Sequence, residues 1–275
     1  MTSADPGLAE HAAARDAWAR SARGPLALVN AQVVDRPQPV WPVAGQWAPA
    51  VGGLAVTAAA ADGVVVDGVP VDGTVLVAGD TAVVPSTVAF ADGLAGTVHG
   101  TTLRVWDPAS DAIARFARID RFPSRPGGHV TVGHYEPWSG REAPGHLTDA
   151  AGDPLPVAGT VETTVDGVTV RLTAVRSAPF HGRPRLQLIV QDTTSTLPEG
   201  DPGSSYSMGR FLYLDEPDES HGTADVALDW ERLVLPPCAF SYQYACPVPP
   251  DENRLPVALT AGERHPVDAD GHVLH

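Results

Sequence analysis

The chain has 275 residues, a formal net charge of −15, 27 glycines, 27 prolines and 6% aromatic residues. It contains arginine but no lysine, and so acidic a surface repels a phosphate backbone, which excludes nucleic acid as an expected partner. No apolar run is long enough to span a membrane, and the N-terminus lacks the basic and apolar regions of a signal peptide. We therefore expect a cytoplasmic protein that has no membrane association.

Residues 1–24 predict a single helix. Asp5 is a suitable N-cap, Pro6 suits the first helical position, and an alanine-rich run follows as far as Gly24. The apolar face is thin and consists mainly of Leu8, Ala12 and Trp18. We expect the helix to lie on the body of the protein, because such a face cannot form a core of its own.

Residues 25–138 predict a β-rich, sandwich-like N-terminal half. Short apolar runs alternate there with turn residues, as in antiparallel sheets. Asp-Gly pairs begin at Asp62, Asp67 and Asp72. We interpret them as hairpin turns and not as a calcium site, because Asp-Gly between valine runs is a strong hairpin signal and the ligand pattern of an EF-hand is missing.

Near the end of this N-terminal half, four arginines recur at helical spacing: Arg115, Arg118, Arg121 and Arg125. Two interpretations remain open. The arginines lie on a solvated helix face and pair with the acidic excess, or they form a basic stripe that holds an anionic ligand.

The histidines do not predict a metal site. His129 and His134 are five residues apart, and side chains at that spacing point to opposite faces of a regular strand. Further histidines lie in residues 265–275, a polar tail that would bind metal weakly. The chain also has no Walker loop and no dinucleotide-binding fingerprint. The sequence therefore predicts neither a metal nor an organic cofactor.

Residues 159–264 predict a second β-rich half, separated from the first by a loop rich in Gly, Pro and Asp. The Asp166-Gly167 pair joins two strand-like runs into a hairpin. In the run that follows, alternation places one set of apolar side chains on a single face: Val168, Val170, Leu172 and Ala174. We expect a half-buried strand there, in a mainly β protein with antiparallel sandwich-like or barrel-like sheets.

Four motifs in the C-terminal half carry a resemblance to a known family. They read DTTS at 192–195, YSMGRFLY at 206–213, LDWERLVLPPCAF at 228–240 and CPVPPDENRLPVALTAGE at 246–263. This series, in this order, resembles the domain of unknown function 1684 family of uncharacterised bacterial proteins. The family's pattern DFNRAYNPPCAF is kept at its aspartate, arginine, prolines and cysteine, whereas Glu231 and Leu235 replace its two asparagines. The resemblance supplies candidate positions without a mechanism.

Arg210 lies in an apolar run and is expected to need a carboxylate partner, because an unpaired buried charge is very unfavourable. Asp229, Glu252 and Glu263 are the candidate partners. Either a buried ion pair ties the C-terminal segment to the sheet, or the guanidinium holds a substrate carboxylate or phosphate.

Cys238 and Cys246 lie in a loop with prolines on both sides, which fixes a non-helical backbone. Three alternatives stay open: two packed thiols, a disulfide that closes the loop, or a nucleophile or metal ligand. A nucleophilic cysteine needs a histidine base. Residues 225–263 contain none, so only the fold could bring His265 or His134 close.

Glu252 and Arg254 lie in a polar turn before the last strand. Glu252 and Glu263 could act as general acid and base if they are buried near each other. In the other interpretation, the turn residues satisfy backbone groups and each other.

These residues support two hypotheses. The first is a small-molecule-binding β protein, a candidate cofactor-independent enzyme acting on an anionic or polar metabolite. The second is a noncatalytic scaffold module that uses its sheet surface for a protein partner, with an exposed apolar patch and no closed pocket. Under the first, the candidate catalytic residues are Asp229, Cys238, Glu252 and Glu263, and the candidate ligand-binding residues are Arg210, Arg232, Tyr242 and Arg254.

Overall fold

A computed structural model of the protein describes residues 6–138, 147–217 and 222–274. The chain forms two compact units. Residues 1–16, 117–240 and 245–275 form one, which we call the motif unit because it carries the four sequence motifs. Residues 17–116 and 241–244 form the second unit.

Two α-helices are present in the described part of the chain, α1 (Pro6–Arg20) and α2 (Asp111–Arg115). α1 confirms the predicted N-terminal helix. Ser110 caps α2 by accepting a hydrogen bond from the Ile113 backbone N–H at 3.2 Å. None of the described helices is long and apolar enough to cross a membrane. Short 3-10 helices occupy Pro25–Ala27, Ala60–Asp62, Ala91–Gly93, Thr193–Thr196, Trp230–Arg232, Pro237–Ala239 and Asp251–Asn253.

The second unit contains two antiparallel sheets. Its strands are β1 (Leu28–Val33), β2 (Gln38–Val40), β3 (Val43–Ala50), β4 (Gly53–Ala58), β5 (Val65–Val66), β6 (Val69–Pro70), β7 (Gly73–Ala78), β8 (Val88–Ala89), β9 (Ala95–His99) and β10 (Thr102–Trp106). One sheet has the order β1-β10-β9-β8-β5-β6 and the other β2-β3-β4-β7. Trp47, Leu54 and Leu103 are fully buried in the core of this unit.

The motif unit is built on a six-stranded antiparallel sheet. The strands of the whole unit are β11 (Arg118–Arg121), β12 (Val130–Pro137), β13 (Val157–Val165), β14 (Val168–Phe180), β15 (Arg183–Val190), β16 (Arg210–Asp215), β17 (Ala224–Asp229) and β18 (Glu263–Val267). The strand order of the six-stranded sheet is β16-β15-β14-β13-β12-β17, and β11 pairs with β18 in a separate ladder. The prediction of a mainly β, antiparallel protein is confirmed.

Two of the predicted Asp-Gly hairpins are confirmed and two are wrong. Asp62 ends a 3-10 helix, and Asp72 lies between β6 and β7, which belong to different sheets. Asp67 and Gly68 join β5 to β6 with φ angles of 51° and 79°. Asp166 and Gly167 join β13 to β14 with φ angles of 47° and 83°. Two consecutive left-handed residues are the signature of a type I′ turn, which aspartate followed by glycine adopts readily.

Both faces of the main sheet carry apolar side chains. Leu172 and Ala174 of β14 lie in the main core with Trp230, as the alternation predicts. The expected half-buried strand is wrong for the opposite face, where Val175 packs with Ile189 in a second cluster. The strand is therefore covered on both sides at this end.

Contacts divide the chain differently from the predicted halves 25–138 and 159–264. β12 and β13 pair directly, with Tyr135 opposite Val161, so the loop predicted between the halves joins neighbours within one sheet. Part of that loop, residues 139–146, lies outside the described residues. The predicted tail 265–275 begins in β18, and its Leu274 is buried.

The helical spacing of four arginines does not correspond to a helix. Arg115 ends α2, whereas Arg118 and Arg121 begin and end the strand β11. The spacing spans two short elements of different type, so the predicted helical stripe is wrong.

Candidate functional site

One face of α1 borders a cleft in the motif unit, which we call the α1 cleft. Its volume is about 220 Å³. It is lined by residues from α1, from the end of β11 and the loop after it, and from the C-terminal motifs: Leu8, Ala9, His11, Ala12, Arg121, Phe122, Ser124, Glu231, Leu233, Gly262 and Glu263.

Helical geometry explains how α1 contributes to the cleft. Leu8, His11, Ala12 and Arg15 follow one another at helical spacing, so they share one face of the helix. Leu8, His11 and Ala12 line the cleft. Arg15, one turn further on, reaches the carboxylate of Glu263.

Glu263 is a buried carboxylate that two elements hold in place. It is 2% exposed and begins β18. Its Oε1 accepts from Arg15 Nε at 2.9 Å, and its Oε2 accepts from Arg15 Nη2 at 2.9 Å and from the Leu235 backbone N–H at 2.7 Å. This forked pairing neutralises the charge and fixes the carboxylate at the cleft wall.

Arg121 connects α1 to β11. Its Nη2 donates to Asp16 Oδ1 at 2.8 Å and to the Ala12 carbonyl at 3.1 Å, and its Nη1 donates to the Ile119 carbonyl at 2.7 Å. Its Nη2 also lies 3.7 Å from Glu263 Oε1. Arg121 therefore positions the helix, and its charge is balanced by Asp16.

The imidazole of His11 has one nitrogen whose hydrogen-bonding capacity is unused among the described residues. Its Nε2 is buried and has no hydrogen-bond partner among the described residues. Burial lowers the pKa of His11; Glu263 opposes the shift, whereas the charges of Arg232 and Arg15 add to it. The imidazole is therefore neutral near pH 7, with one donor and one acceptor nitrogen.

Glu231 places a second carboxylate in the cleft wall. It is 8% exposed, and its Oε1 accepts a hydrogen bond from the Arg125 backbone N–H at 3.0 Å. Unlike Glu263, it forms no ion pair within 4 Å among the described residues. The α1 cleft thus combines a paired carboxylate, a less constrained carboxylate and a neutral histidine.

A polar network continues from Glu231. Arg125 Nη1 donates to Asp166 Oδ1 at 3.1 Å, and this contact raises the pKa of Arg125 and lowers the pKa of Asp166. His129 is 7% exposed, its Nδ1 has no partner in the described part of the chain, and burial lowers its pKa. Arg125 therefore links the Glu231 carboxylate to Asp166, which lies in the β13–β14 turn.

Arg210, a predicted ligand-binding residue, is fully buried and held by protein groups. Its Nη2 donates to Asp192 Oδ2 at 2.7 Å and to the Leu259 carbonyl at 2.8 Å. Its Nη1 donates to the carbonyls of Ala261 at 2.5 Å and Glu263 at 3.1 Å. The carboxylate partner is Asp192, so the three partners expected from the sequence were wrong.

Asp229 and Arg232 form a partly exposed pair beside the α1 cleft. Arg232 Nε donates to Asp229 Oδ2 at 3.0 Å, and Asp229 Oδ1 accepts from the Glu231 backbone N–H at 3.2 Å. Asp229 thereby caps the short 3-10 helix that carries Glu231. The pair positions Glu231, and the charge of Arg232 reaches His11.

The turn that contains Glu252 and Arg254 is organised by the residue between them. Glu252 and Arg254 are exposed; Glu252 accepts from Thr173 Oγ1 at 2.5 Å, and Arg254 Nη1 donates to Gln191 at 2.6 Å. Asn253 is 0% exposed. The structure does not bring Glu252 to the cleft that holds Glu263, because Glu252 lines a separate depression.

Cys238 and Cys246 are reduced thiols in contact with each other. The backbone N–H of Cys238 donates to the Sγ of Cys246 at 3.2 Å. Neither cysteine lines the α1 cleft. Tyr242, the last predicted ligand-binding residue, is 78% exposed and belongs to the second unit.

The C-terminal turn holds a group with metal-ligand spacing. Asp268, Asp270 and His272 bring their ligand atoms within 4.8 Å of one another. Asp268 Oδ1 already accepts the backbone N–H groups of Asp270 at 2.9 Å and His272 at 2.8 Å. These hydrogen bonds explain why the three side chains lie close together in a turn. Their proximity therefore does not indicate a metal centre.

Sequence reasoning missed His11, Asp192 and Asn253 and did not recognise Glu231 as a site residue. The signal for His11 was its helical spacing from Leu8 and Arg15, because a histidine and an arginine on the buried face of a helix need polar partners. The signal for Asp192 was its position before a Thr-Thr-Ser run, which is typical of a side-chain cap.

The family model described as "Protein of unknown function (DUF1684)" matches residues 114–264, more than half of the 275-residue chain. The chain belongs to this family. The DUF1684 match includes Glu231, Glu263 and both cysteines, whereas His11 lies outside it.

A solved structure is also similar to this DUF1684 protein. It is the solution NMR structure of an uncharacterised protein of Haloarcula marismortui, with 25% identity and a TM-score of 0.42 over 54% of this chain and 77% of that one. No curated protein matches the sequence.

Proposed function

We propose that this protein is a cytoplasmic small-molecule-binding protein whose motif unit binds a polar metabolite in the α1 cleft. One observation carries the proposal: His11 lines the cleft, and its buried Nε2 has no hydrogen-bond partner among the described residues. Leaving a buried polar group unpaired costs about 1–3 kcal/mol, so this atom offers a hydrogen-bonding position to a molecule that enters the cleft.

The charges around the cleft favour a hydroxyl-bearing or amine-bearing molecule over a phosphate ester. Glu263 is neutralised by Arg15, and Arg121 is paired with Asp16, which leaves the Glu231 carboxylate as the unbalanced charge of the lining. A neutral imidazole exchanges hydrogen bonds with a hydroxyl group, and a carboxylate accepts them. The volume of about 220 Å³ suits a compact metabolite smaller than a drug-sized ligand.

The same residues could perform proton transfer without a cofactor. The lowered pKa of His11 keeps its imidazole neutral and able to accept a proton from a substrate hydroxyl. The charge of Glu263, which opposes the lowering of the His11 pKa, could stabilise the imidazolium, and Glu231 could hold a second hydroxyl. In this proposal, Glu263 and Arg121 position α1 and do not react.

The scaffold alternative has less support in the structure. On β12, Val130 and Val132 are 58% and 67% exposed. The next outward residue, His134, lies 3.2 Å from the carboxylate of Asp225, so an ion-pairing group interrupts the apolar surface. Large apolar docking patches are more continuous than this.

Thermal unfolding in the presence of sugars, polyols, hydroxy acids and amino acids tests the proposal. A bound compound at ten times its Kd stabilises the folded state by about 1.4 kcal/mol, which raises the Tm by a few degrees. We expect His11→Ala and Glu231→Gln to abolish the increase. The matched controls His134→Ala and Glu136→Gln, at exposed positions of β12, should retain it. Equal loss in the controls, or no stabilising compound in the set, would overturn the proposal.

A further inference from the structure

The contact between Cys238 and Cys246 has no role in the α1 cleft. Cys238 lies in the middle of the 3-10 helix Pro237–Ala239, and Cys246 lies eight residues further on. The backbone N–H of Cys238 approaches the Sγ of Cys246 to 3.2 Å, and the two side chains are themselves hydrogen-bonded. We propose that the two thiols form a redox-active dithiol site that exchanges reversibly with low-molecular-weight disulfides.

The approach of the two residues favours a disulfide. The bond forms when two Cβ atoms lie about 3.5–4.5 Å apart, with the sulfurs between them. The Sγ of Cys246 already lies 3.2 Å from the backbone nitrogen of Cys238, which is two bonds from the Cys238 Cβ. Closure therefore requires the two side chains to rotate toward each other.

The surrounding chain holds both cysteines in place. Prolines precede Cys238, and Pro247 follows Cys246, which restricts the backbone on both sides. The Ala150 backbone N–H donates to the Cys246 carbonyl at 3.2 Å, and Asp149 forms a β-bridge with Pro247. The two sulfurs therefore meet through the fold, not through a random encounter of a flexible loop.

The environments of the two sulfurs differ. The hydrogen bond from the Cys246 thiol lowers the pKa of Cys238, and a second one from Tyr206 adds to the effect. The pKa of Cys246 is raised, first by its bond to Cys238 and then by burial. Both residues are partly exposed, so a small disulfide can reach them. Cys238 is therefore the attacking thiolate and Cys246 the resolving thiol.

The exchange is balanced in two steps. The Cys238 thiolate attacks one sulfur of a disulfide RSSR, the S–S bond breaks, and RS⁻ leaves with its electron pair. Cys246 then loses its proton to the departing thiolate and attacks the Cys238 sulfur, which expels the second RS⁻. This second RS⁻ takes from water the proton that Cys238 released when it ionised. The two protein thiols are oxidised to one disulfide, and RSSR is reduced to two thiols.

Glutathione disulfide, added to the reduced protein, is the probe for this site. Intact mass spectrometry under denaturing conditions should show the loss of two hydrogens, and peptide mapping should show a Cys238–Cys246 link that excess reduced glutathione removes. Cys246→Ser should accumulate one glutathione on Cys238. Cys238→Ser should react more slowly than Cys246→Ser, because burial still raises the pKa of the remaining Cys246 thiol, whereas the hydrogen bond from Tyr206 still lowers the pKa of Cys238.

The parent protein alone can overturn the proposal. One glutathione on each cysteine without an internal link would contradict it, as would no reaction while circular dichroism shows a folded protein. Faster reaction of Cys238→Ser than of Cys246→Ser would contradict the assigned roles. Since the first two outcomes need no variant, a folding defect in the serine variants leaves the test intact.

Discussion

Asp192 and Arg210 form an ion pair in which both side chains are 0% exposed, with 2.7 Å between Oδ2 and Nη2. Asp192 Oδ1 also accepts the backbone N–H groups of Thr194 at 2.9 Å and Leu259 at 3.2 Å. Arg210 donates to three carbonyls of residues 259–263. The pair therefore joins the end of the main sheet to the segment that delivers Glu263 to the α1 cleft.

Asp192→Asn is expected to lower the free energy of unfolding by about 3–5 kcal/mol, because it leaves the Arg210 charge buried without a carboxylate. Urea unfolding measures the effect. The control is Asp215→Asn, which removes the partner of Arg183 in a pair 73% and 77% exposed, and should change stability by less than about 0.5 kcal/mol. Equal effects of the two substitutions would contradict the structural role of Asp192.

Asn253→Ala is expected to destabilise the motif unit by roughly 3 kcal/mol, since several buried groups lose their partners. Asn253 Oδ1 accepts from the Thr173 backbone N–H at 2.7 Å, and Nδ2 donates to the carbonyls of Thr173 and Ile189, each at 2.9 Å. Arg254→Ala, at the exposed neighbour, serves as the control in the same unfolding measurement. A larger loss for Arg254→Ala would show that the turn is held by its charges instead.

Arg15→Leu is expected to cost about 3–5 kcal/mol, because Glu263 would remain buried without its partner. The double variant Arg15→Leu, Glu263→Leu should recover part of this loss, since no uncompensated charge remains. A double-mutant cycle, measured by chemical unfolding, gives the coupling free energy between Arg15 and Glu263. Strictly additive losses would mean that the contacts at 2.9 Å contribute no coupling.

The stability of the motif unit should fall as the pH is lowered from about 6.5 to about 4. Burial lowers the pKa of His265 to about 4, and the charge of Arg264 contributes further. Between the two pH values the unfolded chain binds a proton at His265 that the folded chain does not, so acid favours unfolding by up to about 3 kcal/mol. His265→Gln should flatten the pH profile of unfolding, and an unchanged slope would contradict this assignment.

Local chemistry explains which elements could be predicted from the sequence. The Asp67 and Asp166 turns follow from the left-handed conformation that Asp-Gly adopts, and α1 follows from the proline at its first position and its alanine content. The helix predicted from the spacing of the four arginines was wrong, because the same spacing occurs where a helix ends and a strand follows. Side-chain periodicity alone does not distinguish these two cases.

The α1 cleft depends on contacts that local patterns do not contain. Arg15 and Glu263 are 248 residues apart in the chain. The motif resemblance drew attention to Glu263, but its partner lies in a helix that the family match does not include. Asp192 was likewise within a quoted motif, yet only the fold shows that it meets Arg210.

Histidine-selective ¹⁵N NMR of the protein distinguishes ligand binding at His11 from an unused cleft. With signals assigned by His11→Ala, we expect a hydroxyl-bearing or amine-bearing compound to shift the His11 Nε2 resonance saturably and to leave the exposed His134 unchanged. We also expect His11 to titrate below its ordinary pKa, because burial disfavours the charged imidazolium. A His11 resonance that no compound moves, or that moves only in parallel with His134, would contradict ligand binding in the α1 cleft.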